Sequence, residues 1–589
     1  MLLCIWKERN DLMIKKEIIE VDLKSVYEEK PWVRHYSPEV PAEIKIPDPM
    51  KSINEIFNEA TEKWKNKTAL IFYGNEISYQ KLREYVDRFA TALSNLGIKK
   101  GDKVALLLLN CPQFIIAFYG SLKVGAILTL ISPVYVSNEI KHQLQDSGAE
   151  HIICLDILYE GVEKTGLKLK NVILTNIGEF LPTTKKIIGR SILRGVYQKM
   201  ASPSPSMIRQ ENFYQFQDLI KKYPPTPPKV DIDPKEDFTV FPYTGGTTGP
   251  PKGVLVTHFN IIINDIQYQA FLPFLKEGEE FFLGYMPFYH MAGLMTGPVR
   301  TIFHGFTLVI IANPDLDEIL NAMVKYKTSS FLGAPAIYES LKDYDRTNIV
   351  NWKKLKFIAS SADALHEFTA KDWEARTGTQ IHEYYGQTEQ TATITGTPQG
   401  KVKIGSIGVP LPSIMAAIAD LEKDAFLPLG ELGELVVRGP QMTKGYWNNP
   451  GATRECEALI NGVRWWRTGD VARMDEDGYF YIYDRKRDII KYKGLQVLAR
   501  EVEEVLKTHP KIREVGVIGV PDIKVGENVK ALVVLEADAR GKLSESDIIE
   551  YCNGKLAHYK IPRVVEFVGE IPKTDVGKVS RRELREGEG

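Results

Sequence analysis

Apolar positions recur at two periods in the first third of the chain. Leu82, Tyr85, Phe89, Leu93 and Leu96 follow one another at the spacing of one helix face, and Gly97 comes where a helix end wants a left-handed cap. Residues 104–109 then form an unbroken apolar run, the pattern of a strand buried on both faces. Pro112 predicts a helix start and a helix toward Val124, and residues 126–131 are apolar again. This βαβ rhythm predicts a parallel sheet covered by helices.

The rhythm breaks over 181–229, which is rich in Pro, Ser and Lys and ends in the stiff connector Tyr223-Pro224-Pro225-Thr226-Pro227-Pro228. Inside it, Ile188, Ile192 and Val196 stand four apart among Lys185, Lys186, Arg190, Arg194 and Lys199. A basic amphipathic helix over 185–199 can lie on an anionic membrane surface. A helix packed on its own protein with a solvated basic face is the preferred reading. After the charged joint Asp484-Arg485-Lys486-Arg487-Asp488 the texture changes once more. A helix over 500–508, strands over 514–520 and 529–535, a helix over 544–556 and a basic tail predict a small C-terminal domain of mixed α and β.

Composition narrows the class. The chain has 589 residues, 44% of them hydrophobic and 26% charged, with a formal net charge of −1. That excludes dominant disorder and gives no electrostatic reason to expect nucleic acid as a partner. The length exceeds a single core and predicts several packed lobes. Cys4, Cys111, Cys154, Cys456 and Cys552 are scattered without a CxxC pair, which reads as reduced, cytoplasmic and free of cysteine zinc sites. No apolar run approaches the ~18 residues of a membrane span. The apolar start Met1–Trp6 is too short for a signal-peptide core, and Met13 is a second candidate start.

The most informative segment is Thr244-Gly245-Gly246-Thr247-Thr248-Gly249-Pro250-Pro251-Lys252-Gly253, after a strand-like 238–243. Small residues let backbone N–H groups approach phosphate oxygens, threonine hydroxyls donate, and the lysine supplies charge. A Walker loop needs GxxxxGK followed by Ser or Thr and then a helix. Here Gly253 follows Lys252, and 253–257 reads as a second strand, so the loop joins two strands.

With this loop come, in order, Met286-Pro287-Phe288-Tyr289-His290, Tyr384-Tyr385-Gly386-Gln387-Thr388-Glu389, Thr468-Gly469-Asp470, Asp484-Arg485, Lys491-Tyr492-Lys493-Gly494 and Pro572-Lys573-Thr574-Asp575-Val576-Gly577-Lys578. The chain resembles the adenylate-forming superfamily from about Ser52 to Arg585. The resemblance implies an α/β fold: a large N-terminal domain of two α/β subdomains plus a small β-barrel-like subdomain, then a mobile small α+β C-terminal domain. The expected boundaries are an N-terminal extension at 1–50, the large AMP-binding domain at 51–484 and the mobile domain at 485–589.

The same resemblance implies a two-step reaction with ATP, Mg²⁺ and coenzyme A, in which an acyl-adenylate forms and a thiol then displaces AMP. Like-charged reactants demand cations and fixed donors. Glu389 is similar to the family's Mg²⁺ ligand, with Thr248 assisting, and one carboxylate beside phosphate oxygens and water suits that ion. Thr388 resembles the α-phosphate contact, and Tyr385 the aromatic beside adenine, with Glu383, Tyr384 and Gly386 alongside. Asp470 looks like the carboxylate that takes both ribose hydroxyls, an acceptor-only role, and Arg485 its helper. Lys578 occupies the catalytic C-terminal lysine position. Arg487 stands at the hinge about which the resemblance implies a rotation of the small domain, with Lys491 facing the place of ATP, and Lys493 and Gly494 the pantetheine channel, in the second state.

The acyl group is less sharply written. His290 matches a position bordering the acyl channel, Ala334 within Gly333-Ala334-Pro335 lines it, and Ser361 belongs to a stretch that is small in relatives, where Asp363 is a departure. The glycine-threonine loop and the insertion near 181–205 resemble bacterial long-chain fatty acyl-CoA synthetases, whereas Lys491–Val497 looks more like aryl-CoA ligases and luciferases. A medium- or long-chain fatty acid is favoured. An aryl or short-chain acid, a carrier-protein-loading module, a luciferase and a binding protein that kept only the fold are the alternatives. The sequence leaves open a homodimer and peripheral membrane contact through 185–199.

Overall fold

The computed structural model describes residues 27–182, 211–244, 251–312, 314–573 and 579–587. The first predicted helix forms as Tyr79–Asn95. Ser78 caps it by accepting from Lys81 N, and Gly97 turns the chain away at φ 84°. Strands Lys103–Leu107 and Ile127–Leu130 flank helix Pro112–Lys123 and pair in parallel, Lys103 opposite Ile127. All twelve residues of that helix are buried. Phe57 stacks on its Tyr119 with ring centres 4.3 Å apart, Phe288 meets its Phe114, and Tyr119 OH donates to Pro298 O at 3.0 Å. Lys123 is 7% exposed yet keeps its charge paired, to Asp87 and to Asn58 Oδ1 at 2.6 Å.

These strands lie inside an eight-stranded sheet. Its order runs Val256–Thr257, Phe238–Thr244, Ile127–Leu130, Lys103–Leu107, His151–Leu155, Asn171–Thr175 and Phe213–Gln215, with Lys252–Gly253 paired to Phe238–Thr244. The predicted second strand over 253–257 is thus two short pieces, each antiparallel to Phe238–Thr244.

A second α/β unit carries two sheets. One runs Phe281–Gly284, Thr307–Ile310, Thr68–Phe72, Asn75–Ser78, and the other starts with the parallel strands Ser330–Gly333, Phe357–Ser360 and His382–Tyr385. The bond Ser329 N to Phe281 O at 2.8 Å brings their edges together. A third unit is an antiparallel sheet of Met415–Ala419, Gly433–Arg438, Val463–Met474 and Glu457–Ile460, with Phe480–Arg485 paired to Val463–Met474.

Residues 27–50, expected as part of an extension, strap this third sheet. Trp32 is 1% exposed against its Phe480, and Tyr36 OH donates at 2.6 Å to Pro410 O in the adjoining sheet of the second unit. One buried aromatic removes roughly 150–250 Å² from water, about 4–6 kcal/mol at about 25 cal/mol per Å².

The small lobe has its own core, including Ile490, Val502, Leu506, Val517, Val529 and Ile548. Helix Ala499–Lys507 and strands Ile512–Asp522 and Gly526–Leu535 match the predicted elements. The last predicted helix is shorter, Glu545–Tyr551, because the chain leaves it toward Gly554 at φ 74°. The predicted basic helix over 185–199 lies outside the described residues. Among those described, no helix is long and apolar enough to cross a membrane.

Candidate functional site

Four strands deliver their carboxyl ends to one region: Phe238–Thr244, Ser330–Gly333, Phe357–Ser360 and His382–Tyr385. Ligands of open parallel sheets gather at such ends. Thr244 pairs antiparallel with Lys252, so the glycine-threonine segment joins two strands, as the sequence predicts. Gly245, Gly246, Thr247, Thr248 and Gly249 lie outside the described residues. Lys252 is held at the loop's exit with Nζ 5.3 Å from the Tyr446 ring centre, and Tyr446 OH donates to Glu389 Oε1 at 2.7 Å. Tyr446 reaches this place because residues 445–447 run beside 253–255, with Trp447 N bonded to Gly253 O at 2.8 Å. Burial and the Glu389 carboxylate push the Tyr446 hydroxyl far above its usual range. It therefore stays a donor.

Strand His382–Tyr385 turns sharply at Gly386. A Cβ there would sit 1.4 Å from Ala392 O, so only glycine fits. The turn continues through the short helix Thr388–Gln390 to Thr391 and Ala392, both at positive φ (63° and 122°). Among the described residues, Oε2 of Glu389 carries no hydrogen-bond donor, and no cluster of three or more His, Cys, Asp or Glu forms a protein cage for a metal. One open carboxylate oxygen, near Tyr446 and Lys252, fits Mg²⁺ held mainly by phosphate and water.

The three residues before Gly386 diverge. Tyr385 OH donates to Asp470 Oδ2. Tyr384 corrects the sequence expectation: its ring packs among Tyr268, Phe271 and Phe357 and is 6% exposed, so its side chain belongs to the core and only its backbone borders the site. Alternation along a strand sends neighbours to opposite faces. Glu383 is 7% exposed and accepts from Leu365 N at 3.1 Å. Burial pushes its carboxyl up to about 7, against the opposing pull of Leu365 N, Arg500 and Gly405 N.

Asp470 is the best-furnished group in the region. Leu435 stands opposite Thr468, Gly469 and Asp470 in an irregular register that bends Val463–Met474, and Gly469 takes φ 72°. Thr468 Oγ1 fixes the bend, donating to Leu435 O at 2.7 Å and accepting from Asp470 N at 3.1 Å. The Asp470 carboxylate then receives Arg485 Nε at 2.8 Å, Gln387 Nε2 at 2.9 Å and Tyr385 OH. Asp470 and Arg485 are direct partners in the strand register. A carboxylate has about four acceptor sites, so one is open, and a ribose diol that donates twice must displace one donor. Gln387 also donates to Thr468 O at 2.8 Å. Gln387 and Tyr446 are the residues that sequence reasoning missed. Gln387 sits inside a quoted motif, whereas Tyr446 carries no local signal.

The candidate acyl-side residues lie where the second unit's strands end. His290 opens helix Met291–Leu294, Ala334 precedes helix Pro335–Asp343, and Ser361 N bonds Gly333 O at 2.9 Å. Among the described residues the hydroxyls of Ser360, Ser361 and Tyr285 are buried without a hydrogen-bond partner, which leaves donors for a ligand at this edge. Asp363 is exposed and caps its own turn by accepting from Ala364 N, so the departure noted in the sequence points to solvent.

The remaining candidates sit apart. Lys491, Lys493 and Gly494 are exposed on the hairpin Ile490–Tyr492 with Leu495–Val497, whose turn residues Lys493 and Gly494 both take positive φ. Arg487 is exposed in the single turn Lys486–Asp488 at the joint. Lys578 lies outside the described residues; Lys573 and Val579, which flank that gap, form an antiparallel bridge.

Comparison with known proteins gives the family and the fold. Residues 57–447 match the family model described as AMP-binding enzyme, and 501–578 the model of its C-terminal domain. A long-chain-fatty-acid–CoA ligase of Bacillus subtilis is 38% identical over 566 residues, 95% of this chain and 98% of the relative. A probable 4-coumarate–CoA ligase of Dictyostelium discoideum is 30% identical over 87% of this chain and 90% of its own length. Among solved structures, an anthranilate CoA ligase in complex with anthranoyl-AMP is similar with a TM-score of 0.77 and 25% identity, covering 91% of this chain and 97% of that one. A Mycobacterium tuberculosis fatty acyl CoA synthetase has a TM-score of 0.66 and 26% identity, covering 92% and 99%.

Proposed function

The chain belongs to the family of AMP-binding enzymes, and we propose that it is an acyl-CoA ligase that activates long-chain fatty acids with ATP and Mg²⁺. The carrying observation is the convergence of the Asp470–Arg485–Gln387–Tyr385 cluster and the Lys252–Tyr446–Glu389 cluster at the strand ends that bear the glycine-threonine loop. In the first step a carboxylate oxygen of the acid attacks the α-phosphorus of ATP, the bond to the bridging oxygen breaks, and pyrophosphate leaves. Asp470 holds the ribose, with Tyr385 OH as the donor that yields to it. Lys252 balances the phosphate tail, and Thr388 donates to the α-phosphate. Glu389 and Thr248 would hold Mg²⁺, which neutralises charge on the phosphates. Lys578 neutralises the attacking carboxylate and the α-phosphate together. In the second step the thiolate of coenzyme A attacks the acyl carbon and AMP leaves with the electron pair, giving a thioester.

Support for a fatty acid is the 38% relative against the 30% coumarate-type relative. The test is pyrophosphate release with coenzyme A over acids from acetate to palmitate, with coumarate included. Highest kcat/KM at twelve carbons or more is expected. A preference for coumarate or acetate would replace the fatty-acid reading, and absence of release with every acid would end the ligase reading.

A further inference from the structure

The turn that carries Glu389 is held, backbone and side chain, by one stretch of the connection between strands Gly433–Arg438 and Glu457–Ile460. Thr443 N donates to Glu389 O at 3.1 Å. Gln441, wholly buried, accepts on its backbone oxygen from Thr391 Oγ1 at 2.8 Å and donates from Nε2 to Gln390 Oε1 at 3.0 Å. These bonds fix the chain on both sides of Glu389. Tyr446, three residues after Thr443, then takes the side chain itself, donating to Oε1 at 2.7 Å.

Tyr446 has little freedom of its own. Gly445 before it takes φ 112°, where a Cβ would sit 2.4 Å from Thr453 Cγ2. Tyr446 N donates to Thr453 Oγ1 at 3.0 Å, and the residues on either side are bonded to 253–255, Leu255 N to Gly445 O at 2.9 Å and Trp447 N to Gly253 O at 2.8 Å. Its ring lies 5.9 Å from that of Trp466 on one hand and 5.3 Å from Lys252 Nζ on the other. A phenol has a single proton to give. With that proton on Glu389, the hydroxyl can only accept from Cys456 Sγ, 3.9 Å away.

A glutamate side chain has three torsions, and freezing them as an ion binds weakens the ion's affinity. A hydroxyl locked in place from several directions freezes them beforehand. The bond engages one carboxylate oxygen and leaves the other open. The same phenol borders Lys252, so one residue sets the spacing between the lysine cation and the carboxylate.

We propose that Tyr446 is a positioning residue for the divalent cation that accompanies the nucleotide: its hydroxyl holds Glu389 Oε1 so that Oε2 is presented to the ion in one orientation. The inference rests on the acyl-CoA ligase reading and on Glu389 as its metal carboxylate. Tyr446 acts through Glu389, and loss of such an outer partner costs about 10–100-fold in metal affinity.

The test uses the full chain as wild type, Tyr446→Phe, Glu389→Gln and the double variant. Calorimetry measures the affinity of each for α,β-methylene-ATP, which cannot be adenylated, once with excess Mg²⁺ and once with a chelator. The ratio of the two affinities is the gain that the ion brings. Tyr446→Phe is expected to shrink that gain about tenfold and to change binding in the chelator by no more than about twofold. The Mg²⁺ concentration for half-maximal ATP–pyrophosphate exchange is expected to rise by a similar factor. The double variant is expected to bind no worse than Glu389→Gln alone, because the hydroxyl works only through that carboxylate. An unchanged gain, an equal loss with and without Mg²⁺, or additive losses in the double variant would each overturn the proposal. Tyr446→Phe keeps the ring beside Trp466 and Lys252; where it fails to fold, Tyr446→Met, which also lacks the hydroxyl, carries the same comparison. A Glu389→Gln chain whose gain from Mg²⁺ equals that of wild type would overturn Glu389 as the metal carboxylate, whereas a diminished gain there beside an indifferent Tyr446→Phe overturns only the role of Tyr446.

Discussion

Glu383 is a carboxyl group buried without a bonded cation, and its acidity ties stability to pH. Its folded value is about 7, above the usual 4.5. Between those values the folded chain binds the proton and the unfolded chain has lost it, so stability falls as pH rises through this window. Glu383→Gln removes that dependence while keeping an acceptor for Leu365 N. Melting temperatures measured from pH 5 to pH 8 are expected to show the wild type losing ground to the variant as pH rises. Parallel curves would mean that Glu383 is ionised in the folded chain at all these pH values. At this scale the sequence told which residue types meet, but not how. Asp470 and Arg485 were legible because they sit in motifs. Tyr446 was not, because its hydroxyl reaches Glu389 only through the pairing of Tyr446 with Val254, residues 192 positions apart in the chain. Tyr384 misled because motif membership does not say which face of a strand a side chain takes.

At the scale of elements, the turn from Gly386 to Ala392 is the tightest part of the cradle. Gly386→Ala places a methyl group on the Ala392 carbonyl oxygen, a backbone atom that cannot swing aside. Overpacking of this kind costs about 1–3 kcal/mol or more. The strain falls on the segment carrying Gln387, Thr388 and Glu389. The expected outcome is a lower melting temperature together with at least tenfold weaker ATP binding by calorimetry, about 1.4 kcal/mol or more. Unchanged ATP affinity would show that this turn does not shape the nucleotide site. Regular elements were the most legible part of the fold, since helix Tyr79–Asn95 and strands such as Lys103–Leu107 follow from apolar period alone. Short strands were less so. Val256–Thr257 and Lys252–Gly253 carry too few residues to show a period, and residues 254–255, outside both strands, separate them.

At the scale of the molecule, specific bonds join the two lobes. His366 of the large lobe bonds Glu504 Oε1 at 2.7 Å and Lys507 Nζ at 2.8 Å. A turning small lobe, as the family resemblance implies, has to release these bonds and swing about Arg487. Proline at that position fixes φ near −65°. Arg487→Pro is expected to leave pyrophosphate exchange within about threefold of wild type and to slow thioester formation at least tenfold in stopped-flow measurement, the asymmetry expected when a conformational gate is stiffened. Unchanged thioester formation would remove Arg487 from the joint. The charged run over 484–488 is where the sequence predicts a joint between lobes, whereas the His366–Glu504 contact leaves no signal, because its members are 138 residues apart and look like ordinary surface groups.

The fully enclosed helix Pro112–Lys123 has a consequence for biosynthesis. Its partner Pro298 is translated 179 residues after Tyr119, which at 5–20 residues per second leaves a greasy segment uncovered for roughly 10–40 s. A nascent chain of this kind depends on whatever shields apolar stretches at the ribosome exit until its lid has been made.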